Sequence, residues 1–158
     1  MTSLLIIAPL EKLQNRINSV LKSFKNIYVI YVSLNKSQKT MDDILKKRKI
    51  NTDRFFFIDC VTSEKTRDDV LRIEPTRLDL LQSAINSFVK NIKGEVFLII
   101  DSLSTLLIYN DKNKVANFIK EVIESCSKSH VKVVAFTPKT EEELLIKIYH
   151  FFDKVKRK

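Results

Sequence analysis

The chain has 158 residues, 44% apolar and 30% charged, the length and balance of one soluble globular domain rather than a disordered or fibrous segment. Apolar runs such as Phe55–Ile58 and Val96–Ile100 fall far short of a membrane span, and 28 basic against 19 acidic residues leave a net charge of +9. There is one glycine, Gly94, where ordinary usage gives about eleven, so a function built on a glycine-rich phosphate loop is nearly excluded.

Leu4–Ala8 is short, aliphatic and stopped by Pro9, the pattern of a buried strand. It lacks the basic start and small-residue cleavage site of a secretion signal. Leu13, Ile17, Val20, Leu21 and Phe24 follow at helical spacing. Ile27–Leu34, β-branched and aromatic, reads as a second strand ending in the polar turn Asn35–Ser37. Met41, Ile44 and Leu45 mark a short helix that runs into Lys46, Lys47, Arg48 and Lys49. Phe55–Val61 reads as the third strand, and Thr62–Glu74, with only scattered apolar residues, as a surface loop.

Thr76 and Asp79 have capping-box spacing ahead of a helix whose apolar face is Leu78, Leu81, Ile85, Phe88 and Ile92, with Gly94 at its C-cap. Val96–Ile100 is the fourth strand, followed by Asp101-Ser102 and a short apolar segment, Leu103–Tyr109. Val115, Phe118, Ile119, Val122, Ile123 and Cys126 define another amphipathic helix, and Val131–Phe136 the fifth strand. Thr140 and Glu143 form a second capping box for a last helix with Leu144, Ile148, Phe151, Phe152 and Val155 on its face.

Strands too apolar to alternate, each separated from the next by a helix, predict a single three-layer α/β domain over residues 1–158. It has a five-stranded, mainly parallel sheet with helices on both faces. Right-handed crossovers bring the strand C-terminal ends to one edge, where such sheets bind ligands. A small-molecule site there draws on Pro9, Ser33, Asn35, Asp59, Thr62, Asp101, Ser102 and Thr137. Cys60 and Cys126 lie in apolar runs and read as reduced core thiols, which implies a cytoplasmic setting. His130 and His150 are isolated from each other and from the cysteines, so a structural zinc site is not expected.

The sharpest motif is Val96-Phe97-Leu98-Ile99-Ile100-Asp101-Ser102. An apolar strand ending in Asp describes a Walker B strand, whose carboxylate holds magnesium beside a nucleotide. It also describes a buried strand whose Asp or Ser caps the next helix, and by itself the motif favours that second reading. Ile30–Leu34, Phe57–Asp59, Val96–Leu107 and Val133–Thr137 together resemble strands two to five of the RecA-like ATPase domain, particularly its circadian-clock KaiC-like branch. The resemblance runs over residues 4–140 and implies the strand order 5-1-4-3-2, counting the five strands along the chain. That order places Leu4–Ala8 beside Val96–Ile100 and makes Asp59 and Asp101 ends of neighbouring strands.

The resemblance fails where nucleotide chemistry needs it. The Walker A loop of the family is replaced by Pro9-Leu10-Glu11-Lys12-Leu13-Gln14-Asn15-Arg16, which has no glycine to form a phosphate-facing nest, and Pro9 removes a donor. The positions matching the family's catalytic Glu hold Asn35 and Lys36, neither a useful general base. Asp101 and Ser102 are what remains of Walker B. The expectation is therefore a non-catalytic module with no cofactor, acting through protein partners or self-association, as RecA-like domains work in oligomers.

Two alternatives differ in class. The run Lys46, Lys47, Arg48, Lys49 and the end Lys156, Arg157, Lys158 make a basic nucleic-acid-binding protein the runner-up, contacting phosphates without reading sequence. The same Lys-rich, Gly-poor composition also marks hyperthermophile surfaces. A magnesium-dependent enzyme in which Asp59 and Asp101 share the ion is third. Ser102, Ser104 and Thr105 stand in no nucleophile-elbow pattern with His130 or His150, so a hydrolase is not expected.

Overall fold

The computed structural model describes residues 2–61, 70–139 and 142–157. Among the described residues seven strands form one sheet, and every pairing is parallel. In chain order the elements are β1 (Ser3–Ala8), α1 (Leu10–Lys22), β2 (Tyr28–Ser33), α2 (Gln38–Lys47), β3 (Phe55–Asp59) and β4 (Leu71–Arg72), then α3 (Leu78–Asn91) and β5 (Val96–Asp101). They continue as α4 (Leu103–Tyr109), α5 (Lys112–Lys128), β6 (Lys132–Pro138), α6 (Glu142–Ile148), a 3-10 turn (Tyr149–Phe151) and β7 (Lys154–Arg157).

The sheet separates two cores. Ile6, Ala8, Tyr31, Phe57, Ile99, Val134 and Phe136 face α1 and α2, where Leu13, Ile17, Leu21, Met41 and Leu45 cover them. On the other face Leu5, Ile30, Val32, Leu98, Ile100 and Ala135 meet Leu81 and Ile85 of α3, Phe118 and Val122 of α5, and Leu144 and Ile148 of α6. Successive strand residues point to opposite faces, so burying both explains why the strands are continuously apolar. Cys60 and Cys126 are buried, and their surroundings push both thiols up to about 12, burial being the main cause.

The three-layer α/β architecture is as expected, with two strands more. The strand order is β4-β3-β2-β5-β6-β1-β7. The expected 5-1-4-3-2 order is therefore corrected: β6 lies between β5 and β1, with Ile6 level with Phe136 and Asp101 level with Phe136 on the other side. The residues carry no preference between these orders, because each of these strands is apolar on both faces and fits any interior place in a parallel sheet.

The last predicted helix is corrected too. It stops at Ile148, and Lys154–Arg157 instead pairs with β1, Leu4 opposite Lys154 and Ile7 opposite Arg157. Asp153 makes the turn: one carboxylate oxygen accepts from Thr2 N (2.7 Å), Thr2 Oγ1 (2.8 Å) and Ser3 N (3.1 Å), and Asp153 N donates to Ser3 Oγ (2.9 Å). Phe152 and Val155 keep helical spacing only because a buried aromatic in the turn and a half-buried strand residue happen to sit there.

Within the predicted 62–74 loop, Leu71–Arg72 is a short edge strand, and Val70 and Ile73 beside it are buried. Thr76 does not cap α3: Arg77 is its N-cap, and Arg77 Nε and Nη2 hold Asp79 at 3.1 Å each. Gly94 lies beyond the C-cap Ile92 at φ +121°, a backbone region that favours glycine. The second capping box involves Thr140, outside the described residues, while Glu143 pairs with Lys112.

Candidate functional site

The direction of strand addition reverses between β2 and β5. From β2 the chain builds outward to β3 and β4, then returns to β5 on the other side of β2 and proceeds to β6. In open parallel sheets this reversal leaves a crevice at the strand C-terminal ends. Ser33 ends β2 there, level with Asp59 on one side and Asp101 on the other. Asp59 and Asp101 are thus separated by a whole strand, about 10 Å between backbones, and the expected adjacency is corrected.

Tyr31, two residues before Ser33, shares its face of the sheet with Asp101. Its hydroxyl donates to Asp101 Oδ2 at 2.7 Å and also lies 3.8 Å from Met41 Sδ. Both side chains are fully buried, and Asp101 Oδ1 has no hydrogen-bond partner among the described residues. Burial raises the Asp101 carboxyl above its ordinary value of 3.8, although the Tyr31 hydrogen bond and the Lys36 charge pull it down. Burial, and then the neighbouring Asp101, push the Tyr31 phenol well above its own.

Asp101 does not cap the next helix. Ser102 holds the N-cap position of α4, as the capping reading allows, but makes no side-chain capping bond. The Asp101–Ser102 peptide is cis. Tyr31 was legible only as core. Its signal was a phenol, the second in the strand after Tyr28, at the same-face position before a polar strand end.

Above this pair the crevice is bridged by protein. Leu34 N donates to Asp101 O at 2.6 Å. Asn35 Nδ2 donates to Ser102 Oγ at 3.1 Å, Thr105 donates to Asn35 Oδ1, and Ser102 and Ser104 share a hydrogen bond of 3.2 Å. Ser33 Oγ donates to the Lys36 carbonyl. The Asp59 carboxylate accepts from Gln38 N (3.0 Å) and Val61 N (2.8 Å), anchoring α2 and the chain after β3. Thr137 is buried beside Pro138, and Thr62 lies outside the described residues.

Nucleotide and magnesium, which the RecA-like fold implies, do not fit these residues. Pro9 is the N-cap of α1 and Leu10 its first residue, so the positions matching a phosphate loop lie inside a helix. A hard divalent ion takes six oxygens, and nucleotide sites borrow several from phosphates. Here Asp101 offers one free buried oxygen with the Lys36 charge nearby, and Asp59 is already engaged. No group of three or more His, Cys, Asp or Glu suited to a metal occurs among the described residues.

The basic residues divide into two groups. Lys46, Lys47, Arg48 and Lys49 close α2 at the N-terminal end of β3; Lys46 pairs with Asp42 at 3.0 Å, and Arg48 reaches Asn15 Oδ1 at 3.3 Å. Lys49 lines a cavity of about 710 Å³ together with Lys22, Lys25, Asp53 and Arg54. The other three cations come from two other segments, Lys22 closing α1 with Lys25 just after it, and Arg54 before β3, so no run in the sequence announces them. Lys156 and Arg157 are on β7, five strands from β3, about 24 Å away at ordinary strand spacing, and Arg157 stacks on Tyr149 at 4.8 Å. Lys158 lies outside the described residues. The two basic runs do not form one patch.

Among solved structures, the chain is similar to a KaiC-like protein of the hyperthermophilic archaeon Pyrococcus horikoshii, with a TM-score of 0.72, 11% identity, and coverage of 98% of this chain and 69% of that one. A second Pyrococcus horikoshii protein aligns with a TM-score of 0.65 and 11% identity over 99% of this chain and 80% of its own. These likenesses establish the RecA-like fold. No curated protein matches the sequence. The profile of the Elongator subunit Iki1 family matches residues 9–150, nearly the whole chain, and the chain belongs to that family.

Proposed function

We propose that this chain is a non-catalytic RecA-like module that acts by associating with protein partners. The observation carrying this reading is the direct entry from β1 into α1 at Pro9–Leu10, where a phosphate loop would have to be. The bridged crevice over the Tyr31–Asp101 pair points the same way. The matching family is described as a subunit, which supports a role inside an assembly. Titration calorimetry with magnesium-ATP is expected to show no binding, and co-expression with the other Elongator subunits of the same organism to give a stable complex. Micromolar ATP affinity that is lost in Asp101→Ala would overturn the non-catalytic reading. Failure to co-elute with any of those subunits would overturn the partner reading.

A second reading has its own observation. Lys22, Lys25, Lys49 and Arg54 converge on one cavity beside the end of α2, a shape suited to a polyanion such as RNA. Gel shifts that weaken steeply with salt, and that Lys22→Glu together with Lys49→Glu abolishes, would support it.

A further inference from the structure

The outermost part of the sheet is incompletely covered. β4 pairs with β3 only at Ile58 and Asp59, so among the described residues Phe55, Phe56 and Phe57 have no strand on their outer side. β4 is itself the last strand of the sheet. Next to this open edge, between β3 and α3, runs a groove of about 920 Å³ lined by Tyr28, Phe56, Leu71, Arg72, Leu80 and Phe88 among others.

The groove floor is aromatic. Tyr28 and Phe56 rings lie 6.2 Å apart and Phe56 and Phe88 rings 5.6 Å apart. Of its lining, Leu71 is 41% and Leu80 45% exposed, which places apolar surface in water. Among the described residues the charge on the groove has one sign: Arg72 and Lys93 belong to the lining, Arg54 sits over the Tyr28 ring at 4.9 Å, and none of the described lining residues is Asp or Glu. Arg72 Nε is buried with no hydrogen-bond acceptor among the described residues.

We propose that this groove and the outer edge of β3 receive an extended segment of a partner polypeptide, alternately acidic and apolar, as an added strand. The inference rests on the protein-partner reading above and names the chemistry of the partner. Open strand edges take up extended peptides through main-chain hydrogen bonds, while alternate side chains fill the adjoining pockets. Apolar side chains of the segment would cover Phe56, Leu71 and Leu80, and a carboxylate would supply the acceptor that Arg72 Nε lacks. A second copy of this chain is a poor occupant. It carries a net charge of +9, and its other exposed edge strand, β7, presents Lys154, Lys156 and Arg157.

The test uses the full chain and a pool of short fluorescent peptides in which Asp or Glu alternates with Leu, Val or Phe, compared with the same pool carrying Lys in place of the acids. The acidic pool is expected to bind and the basic pool not. Arg72→Glu is expected to weaken binding about tenfold or more, since it replaces a charge-assisted hydrogen bond with repulsion. Leu80→Asp, at an exposed position of α3, is also expected to weaken it, with circular dichroism showing both variants folded. Methylating alternate amide nitrogens of the bound peptides should abolish binding while leaving their side chains intact, and binding should slow hydrogen exchange across Phe55–Phe57.

Equal binding of both pools, no binding of either, or affinity indifferent to Arg72→Glu would overturn the proposal. Arg72-dependent binding of decanoate by a chain that ignores the peptides would assign the groove to small amphiphiles instead. A dimer of the free chain that Leu80→Asp dissociates would assign it to a second copy. Persistent co-elution of Leu80→Asp and Arg72→Glu with the Elongator subunits, alongside failed peptide binding, would overturn the groove while leaving the partner role intact.

Discussion

Removing the Tyr31 hydroxyl tests whether the sheet end is held by a buried acid or by an ion site. Tyr31→Phe deletes the donor to Asp101 Oδ2, and Oδ1 already lacks a partner, so the carboxyl would be left buried with neither oxygen paired. A hydrogen bond to a charged group contributes about 1.5–3 kcal/mol and one to a neutral group about 1 kcal/mol. The cost therefore depends on whether Asp101 carries its proton. Its native value lies above 3.8, so the native state keeps a proton over a range in which the unfolded chain has released it. Stability from this group is greatest below the ordinary carboxylate value and declines as pH rises through the native one. Tyr31→Phe removes an influence that lowers the native value, so the decline should extend to higher pH. Urea unfolding at about pH 5 and about pH 8 is expected to show a larger penalty at the higher pH, with an unchanged m-value. In an Asp101→Asn background the penalty should shrink and lose its pH dependence. A penalty below about 0.5 kcal/mol at both pH values, against the ~1.5 kcal/mol minimum for a charged partner, would refute the reasoning.

Three further outcomes are expected. Magnesium should leave the melting temperature unchanged in the parent chain and in Asp101→Asn alike; a rise confined to the parent would mark a cation on Asp101 by mass action. Asp153 is held below the usual carboxylate range, chiefly by the Thr2 and Ser3 hydrogen bonds, so the stability it lends is present above the ordinary value and lost as pH falls through the native one. Asp153→Ala should remove that acid-side loss and speed hydrogen exchange at Thr2 and Ser3, which deuterium-exchange mass spectrometry reads directly. Gly94→Ala should cost about 1–2 kcal/mol in a thermal melt, because alanine is strained at φ +121° and its Cβ meets the Tyr28 ring at 3.4 Å.

The apolar runs from Leu4, Ile27, Phe55, Val96 and Val131 all became strands, because burial on both faces leaves an unbroken aliphatic signature. Their order was not legible for the same reason: nothing in Val133–Phe136 says whether β1 or β5 lies beside it, and both do. Lys154–Arg157 was hidden because Leu144, Ile148, Phe152 and Val155 keep helical spacing across the break, and the stop signal is a single Asp153 whose partners are 150 residues away. At the candidate site Asp101 stood out as the end of an apolar run. Its partnership with Tyr31 did not, since a hydrogen bond spanning 70 positions leaves no local pattern. Lys22, Lys25 and Arg54 likewise join Lys49 only through the turns that end α1 and α2.

The placement of β1 also sets an order of events during synthesis. Both of its neighbours, β6 and β7, come from the last stretch of the chain, while β2, β3 and β5 can pair among themselves long before. The first strand of this sheet to be made is therefore the last to find its strand neighbours. Until residues 132–157 emerge, Leu5, Ile6 and Ile7 have no strand on either edge. Pairings this distant in sequence are slow to close, and an unpaired apolar strand is open to capture by other chains meanwhile. A nascent chain stalled before β6 would have a half-built sheet and an unpaired β1, a state in which a chaperone has an obvious segment to hold.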